Sequence, residues 1–447
     1  MTNDRSSLTS LEREKASVFH SWSAQASINP LMVRSANGVY VTAEDGTTYL
    51  DFSSQLVNTN IGHQHPAVVK AIQDQAGALC TIAPQHGYES RYRAAELILD
   101  HSFEGAAKVF FTNGGTEAVE HAVRMARLHT GRHKILAAYR SYHGATATSI
   151  NLTGDPRRWA NDTASAGVVH FFGPFFYRSH FHATTEQDEC ARALENLEAT
   201  IRFEGPSTIA AIILETVPGT AGIMVPPPGF LAGVRELCDR YGIVYIADEV
   251  MCGFGRTGAW FAYQQHDVKP DLVTFAKGVN SGYVPLGGVV LNEAISATFN
   301  DRVYPGGLTY SGHPLACASA VATITAMQDE GIVKNAHRIG EEVLAPGLAA
   351  LAKRHRVIGE VRGLGVFFAL DLVVDRVTKE PLAPYGSSSP AMDELVRACR
   401  DEKLLVFSNF NRIHVVPPCT ITAEEARDGL ARLDRALEHA DPHYVGA

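Results

Sequence analysis

The sequence predicts an α/β protein, with a mostly parallel central sheet covered by helices on both faces and a smaller α+β region after it. Three observations predict this. Between residues 61 and about 320, stretches of helical period alternate with short apolar runs, the pattern of strands joined by crossover helices. Two of those runs stop on residues that carry chemistry: 243–247 on Asp248-Glu249, and 272–276 on Lys277-Gly278. Beyond 320 the pattern shifts to long helices flanking 362–372 and 412–416.

The 447 residues can bury a large core and allow two or three domains. We read 1–60 as an N-terminal segment that joins the small region, 61–320 as the large domain and 321–447 as the small α+β domain. A formal charge of −9 and a pI near 6.1 give no electrostatic footprint for nucleic acid or an anionic membrane, so the expected partners are small molecules. Seven cysteines, scattered and without a C-x-x-C pair, argue against a disulfide framework or zinc ribbon and fit a reducing cytoplasm. Residues 1–7 lack the charged-then-apolar pattern of a signal peptide, and no apolar run reaches the length of a membrane span.

Taken in order, 39–42 and 48–52 read as a hairpin about a turn containing Gly46. Residues 53–66, which include Gln55 and Leu56, are too polar for a strand. His63 and His65 resemble a metal pair, but two ligands without a third are more often loop histidines. The segments 67–75 and 90–99 have amphipathic helical spacing. Strands are expected at 108–112, 134–138, 209–214, 243–247, 272–276 and 288–291, since each is short, apolar and rich in β-branched or aromatic residues. His180 and His182, with Cys190, lack a clear fourth metal ligand.

In open α/β sheets, ligands gather outside the carboxyl ends of the strands, so Asp248 and Lys277 are expected to share a crevice. An aspartate there is often only a helix cap, and a lysine only a solvated loop charge. Together they suit pyridoxal 5′-phosphate, whose aldehyde takes a lysine amine and whose ring nitrogen takes a carboxylate. Gly253, Gly255 and Gly258 spell G-x-G-x-x-G, but the loop runs into 259–263 and Lys277 stands about where a dinucleotide fold wants its acid, which sets a nicotinamide cofactor aside. Gly114, Gly115 and Thr116 join a strand to a helix, where glycines let a backbone approach and free N–H groups favour a phosphate, and where a plain Thr/Glu-capped helix start reads equally well from the residues alone.

Asp248-Glu-Val250, Gly253-Phe-Gly-Arg-Thr-Gly258, Ala276-Lys-Gly278 and Pro285-Leu-Gly-Gly288, in this order and spacing, resemble the class III aminotransferases, pyridoxal-phosphate enzymes of fold type I. The resemblance runs through most of the chain. It implies that Gly114, Gly115 and Thr116 hold the cofactor's phosphate, Lys277 tethers the cofactor, Asp248 and Val250 meet its ring, Tyr142 stacks on it, His143 supports it, and Glu215 lies near it. It also implies that Thr309 reaches the phosphate of a neighbouring subunit, hence a homodimer or dimer of dimers.

The substrates implied are an amino donor and a 2-oxo acid. The segments around Gln55 and Leu56, 61–66 and 140–146 look most like the branch that uses taurine or similar ω-amino acids with pyruvate or 2-oxoglutarate. In the bacterial 4-aminobutyrate branch an arginine stands where this chain has Ala145. Arg412 is the candidate for a bidentate clamp on a carboxylate or sulfonate, with Gln55, Leu56 and Tyr142 also expected at the substrate, and Arg256 looks more like a loop staple. The same fold also hosts aminomutases, decarboxylases and racemases. A cofactor-bound regulator would normally be expected to carry a DNA-binding module and a basic patch, and neither is visible.

Overall fold

The computed structural model describes residues 7–161 and 167–446; residues 1–6, most of the stretch read against a signal pattern, lie outside the described residues. The N-terminal strands β1 (Val33–Asn37), β2 (Tyr40–Ala43) and β3 (Thr48–Asp51) form an antiparallel meander. Its far edge is completed by a short strand from late in the chain, β13 (Leu404–Leu405), which runs parallel to β3. The two strands expected around Gly46 are thus β2 and β3, and Gly46 supplies the positive φ of +88° that their turn requires.

The central sheet has seven strands: β4 (Ala106–Thr112), β5 (Lys134–Ala138), β6 (Val168–Phe171), β7 (Ile209–Glu215), β8 (Val244–Asp248), β9 (Leu272–Phe275) and β10 (Gly287–Asn292). Their order is β4-β10-β9-β8-β7-β5-β6. The run from β9 to β6 is parallel throughout, while β10 is antiparallel to both its neighbours. Every residue of β7, β8 and β9 is buried, as a parallel sheet covered on both faces requires. Alternation along β7 divides them between two cores: Ile212 and Leu214 enter one, Ala211 and Ile213 the other. The second core is closed by the helix Gly115–Thr130, which contributes Ala118, Val119, Ala122 and Val123 at helical spacing. Strand β6 escapes sequence reading because it is an edge strand of four residues, only the last of them buried.

The helix Pro314–Asp329 runs across residue 320 and packs on the helices Pro66–Ala78 and Glu89–Asp100. The stretch 362–372 is not one strand. It is a hairpin of β11 (Ile358–Leu364) and β12 (Phe367–Leu372), turned at Gly365 with φ +57°. A Cβ on Gly365 would lie 2.4 Å from the carbonyl carbon of Thr257, so only glycine lets the turn press on that loop. Strands β14 (Phe407–Asn409) and β15 (Arg412–Val415) complete this sheet in the order β11-β12-β15-β14. Among the described residues no helix is long and apolar enough to cross a membrane.

Candidate active site

Strands β7, β8 and β9 end side by side, with Glu215 paired to Asp248 and Asp248 to Thr274. Lys277 follows β9 by two residues and takes φ +44°, a left-handed conformation that costs a side-chain-bearing residue of order 1 kcal/mol or more and that the surroundings must hold. A cavity of about 370 Å³ opens at this edge of the sheet. Lys277, Asp248, Glu215 and Val250 line it from the strand ends, Gly114, Gly115 and Thr116 from the start of the helix, and Tyr142 and His143 from the segment after β5. Leu56 lines it too, along with Trp22 and Thr220, which the sequence did not single out.

Asp248 is anchored from behind. His143 Nδ1 stands 2.7 Å from Asp248 Oδ2, and the nitrogen that faces a carboxylate carries the proton. The backbone N–H of Val250 donates to Asp248 Oδ1 at 3.1 Å. His143 Nε2 is buried with no partner. Both oxygens of Glu215 accept backbone N–H groups, from Tyr142 at 2.8 Å and from Gly219 at 2.9 Å. Burial nevertheless raises its pKa to about 6, with His143 pulling it down and Asp248 adding to the rise. Burial pushes the Lys277 ammonium below the ordinary lysine range, while Asp248 and Glu215 draw it back up, which favours a neutral and nucleophilic amine more than water would.

The helix Gly115–Thr130 starts at Gly114 with no side-chain cap, so its first N–H groups and the positive end of its dipole face the cavity unshared. A Cβ on Gly115 would lie 2.7 Å from Val250 Cγ1, and one on Gly287 would lie 2.7 Å from the backbone of Gly114. The glycines are thus what brings this helix start against the strand ends. An amine, an anchored carboxylate, a phenol ring and an uncapped helix start lining one cavity are the donor set that pyridoxal phosphate needs, and the residues fit it.

Gln55, Thr309 and Arg412 do not line this cavity. Gln55 Nε2 donates to Asp51 Oδ2 at 2.8 Å. Thr309 is exposed and does not line this chain's cavity. Arg412 lies behind the turn that carries Thr220: a Cβ on Gly222 would meet Arg412 Cδ at 2.5 Å. Its Nε and one Nη are buried without a partner, and burial lowers its pKa to about 10, with Asp371 pulling it up and Arg362 and Arg140 adding to the fall. Arg157 is the cation sequence reading missed. Its guanidinium lies 3.7 Å over the Tyr142 ring, pairs with Asp155 and is close enough to lower the Lys277 pKa. It sits in a single 3₁₀ turn, Pro156–Arg158, where no periodicity marks it.

Arg256 is fully buried, donating to the carbonyls of Val366, Val416 and Pro417 and to the side chains of Ser54 and Asn60. It staples a loop. His63 pairs with Asp51 and His65 with Glu330, and among the described residues no group of three or more His, Cys, Asp or Glu is placed to hold a metal ion.

Residues 22–437 match the family model for class-III aminotransferases. The chain is 35% identical to a 5-aminovalerate aminotransferase of Pseudomonas aeruginosa, covering 92% of this chain and 94% of that protein. It is 32% identical to a taurine–pyruvate aminotransferase of Bilophila wadsworthia, covering 99% and 100%. A crystal structure of taurine:2-oxoglutarate aminotransferase from Bifidobacterium kashiwanohense, in complex with PLP and glutamate, is 40% identical and superimposes with a TM-score of 0.94 over 97% of this chain and 98% of that one.

Proposed function

Because the chain belongs to the class III aminotransferases, enzymes of fold type I that use pyridoxal 5′-phosphate, we propose that it moves the terminal amino group of an ω-amino acid or amine, such as taurine or β-alanine, to 2-oxoglutarate or pyruvate. When bound, pyridoxal phosphate supplies an aldehyde that condenses with amines and a ring that takes up the electrons left by a departing proton. Gly114, Gly115 and Thr116 would hold its phosphate, Tyr142 and Val250 its ring faces, and Lys277 its aldehyde. Asp248 would keep the ring nitrogen protonated, with His143 fixing the orientation of that carboxylate. Glu215 would border the ring, and Thr309 would complete the phosphate site of a second copy of the chain in a homodimer.

Lys277 Nζ would carry the proton: its amine is desolvated, and the carboxylates of Asp248 and Glu215 keep its pKa from falling further. Leu56 and Trp22 at the same cavity would exclude water from the donor carbon. Two arginines are proposed for the substrate's acid group. Arg412 has unpaired, desolvated N–H groups behind Thr220, and Arg157 is the cation whose charge reaches Lys277. Seven free cysteines suit a reducing cytoplasm.

The observation that carries this reading is that Lys277 and anchored Asp248 share one cavity with an uncapped helix start. The donor is tested by adding candidate amines singly to the holoenzyme and following the cofactor's absorbance. Conversion by taurine or β-alanine is expected. Conversion only by 4-aminobutyrate or 5-aminovalerate would instead support the second reading, which the Pseudomonas relative favours.

A further inference from the structure

A second cavity of about 370 Å³ lies beside the first, and Glu215 lines both. Lys277 and Asp248 do not line it. Its walls are mostly apolar, with Trp159, Phe172, Phe230, Leu231 and Tyr385 among them. An aromatic-walled hollow of this size is what small organic ligands occupy in proteins, usually with a few polar groups that fix their orientation.

The polar group here is Arg140. It follows β5 in a left-handed conformation, φ +62°, held where its N–H donates to the Gly154 carbonyl at 3.0 Å. A Cβ on Gly154 would lie 2.8 Å from the Arg140 nitrogen, so the strained residue is pinned against glycine. The guanidinium lies 4.7 Å from the Phe175 ring centroid and 5.6 Å from that of Tyr385. Burial lowers its pKa, which Tyr385 counters and Arg178 reinforces.

No carboxylate of the described residues pairs with it. The nearby Asp371 is taken by Arg178 at 2.8 Å and Arg362 at 3.1 Å, and Glu360 by Arg362. Glu215, the acid lining the cavity, already has a backbone N–H on each oxygen. Arg158 also lines the cavity but has interactions of its own, and His180, desolvated and beside Arg140, is held toward its neutral form. The cavity thus presents cationic charge amid aromatic and aliphatic walls, a complement to an anion with an apolar body.

We propose that this cavity is a second binding site, separate from the Lys277 cavity, for a small monocarboxylate with an aryl or alkyl body, its acid group on Arg140 and its body among Trp159, Phe230 and Leu231.

The test uses holoenzyme, with 3-phenylpropionate as the probe, acetate and 3-phenylpropanamide as controls, calorimetric titration, and a crystal structure of the complex. The expected result is saturable binding of the phenylpropionate, weaker by about 10- to 100-fold for the amide and for Arg140→Leu, with none detectable for acetate. Leu231→Trp, which fills the hollow without touching its charge, should also abolish binding and provides a second variant if Arg140→Leu does not fold. Density should place the carboxylate at Arg140. Density only in the Lys277 cavity, equal affinity for acid and amide, or no saturable binding of the probe would each overturn the proposal.

Discussion

Asp248 and Glu249 are neighbours at the end of β8, both buried, and they face opposite ways. Toward the cavity, Asp248 accepts one hydrogen bond on each oxygen, from Val250 and from His143. On the other side, each oxygen of Glu249 accepts two: Thr216 at 2.6 Å and Tyr263 N–H at 3.0 Å on one, Ala262 N–H at 2.9 Å and Cys252 Sγ at 3.3 Å on the other. A carboxylate has about four lone-pair sites. Glu249 has used all of them on the fold, whereas Asp248 leaves two unused. The two buried arginines differ in degree, with Arg256 donating to five described groups and leaving Nε unpaired, while Arg412 leaves both Nε and one Nη unpaired. On the proposed reading, unspent hydrogen-bonding capacity separates a working charged group from a structural one, since burial is common to both.

The contrast breaks most completely at Lys277. Lys277→Ala should lower turnover by at least about 1000-fold, because it removes both the nucleophile and the proton carrier, while the melting temperature of the apoprotein holds. Measured side by side, Asp248→Asn and Glu249→Gln should then separate the two faces. Asp248→Asn should slow the single-turnover chemical step about 100- to 1000-fold with the fold intact. Glu249→Gln turns an amide N–H toward donors and should instead cost on the order of 3 kcal/mol of stability, read by denaturant titration. A stable Glu249→Gln enzyme with crippled chemistry would collapse the distinction.

Among the arginines, Arg412→Ala should cost about 30- to 150-fold in kcat/KM for anionic substrates, on the order of 2 to 3 kcal/mol, and little for an uncharged amine in its half-reaction. Equal losses for both donors would class Arg412 with Arg256, and a loss confined to Arg157→Ala would move the clamp to that residue. The smallest effect concerns pH. Glu215 has a folded pKa of about 6, raised from 4.5, so the folded chain keeps a proton that the unfolded chain releases. The stability this gives is full below about pH 4.5 and is lost as pH rises through 6, a change of about 2 kcal/mol. The difference in unfolding free energy between wild-type and Glu215→Gln apoprotein should shift by that amount between pH 4.5 and 7, with wild type weaker at the higher pH.

The parts of this site that were legible in sequence are those encoded locally. β-branched and aromatic runs place Asp248 and Lys277 at strand ends, and paired glycines before a helical stretch mark 114–116. Glu249 is written beside Asp248, yet its partners come from the residue after β7, the loop after β8 and the turn at Ala262, which only the fold assembles. Arg157 reaches Tyr142 from a 3₁₀ turn that carries no period, and Gln55 is drawn to Asp51 by an unusual backbone, φ 59° and ψ −104°, that no propensity predicts. The break at Gly365 within 362–372 answers to the distant Thr257 backbone, so the run of apolar residues around it reads as continuous.

The most direct test of the central claim, that Lys277 and Asp248 form the working centre, is borohydride reduction of the holoenzyme followed by peptide mapping. The account predicts the cofactor fixed to a single peptide containing Lys277, and no such product from Lys277→Ala. Cofactor fixed to any other lysine in the wild-type enzyme would contradict it.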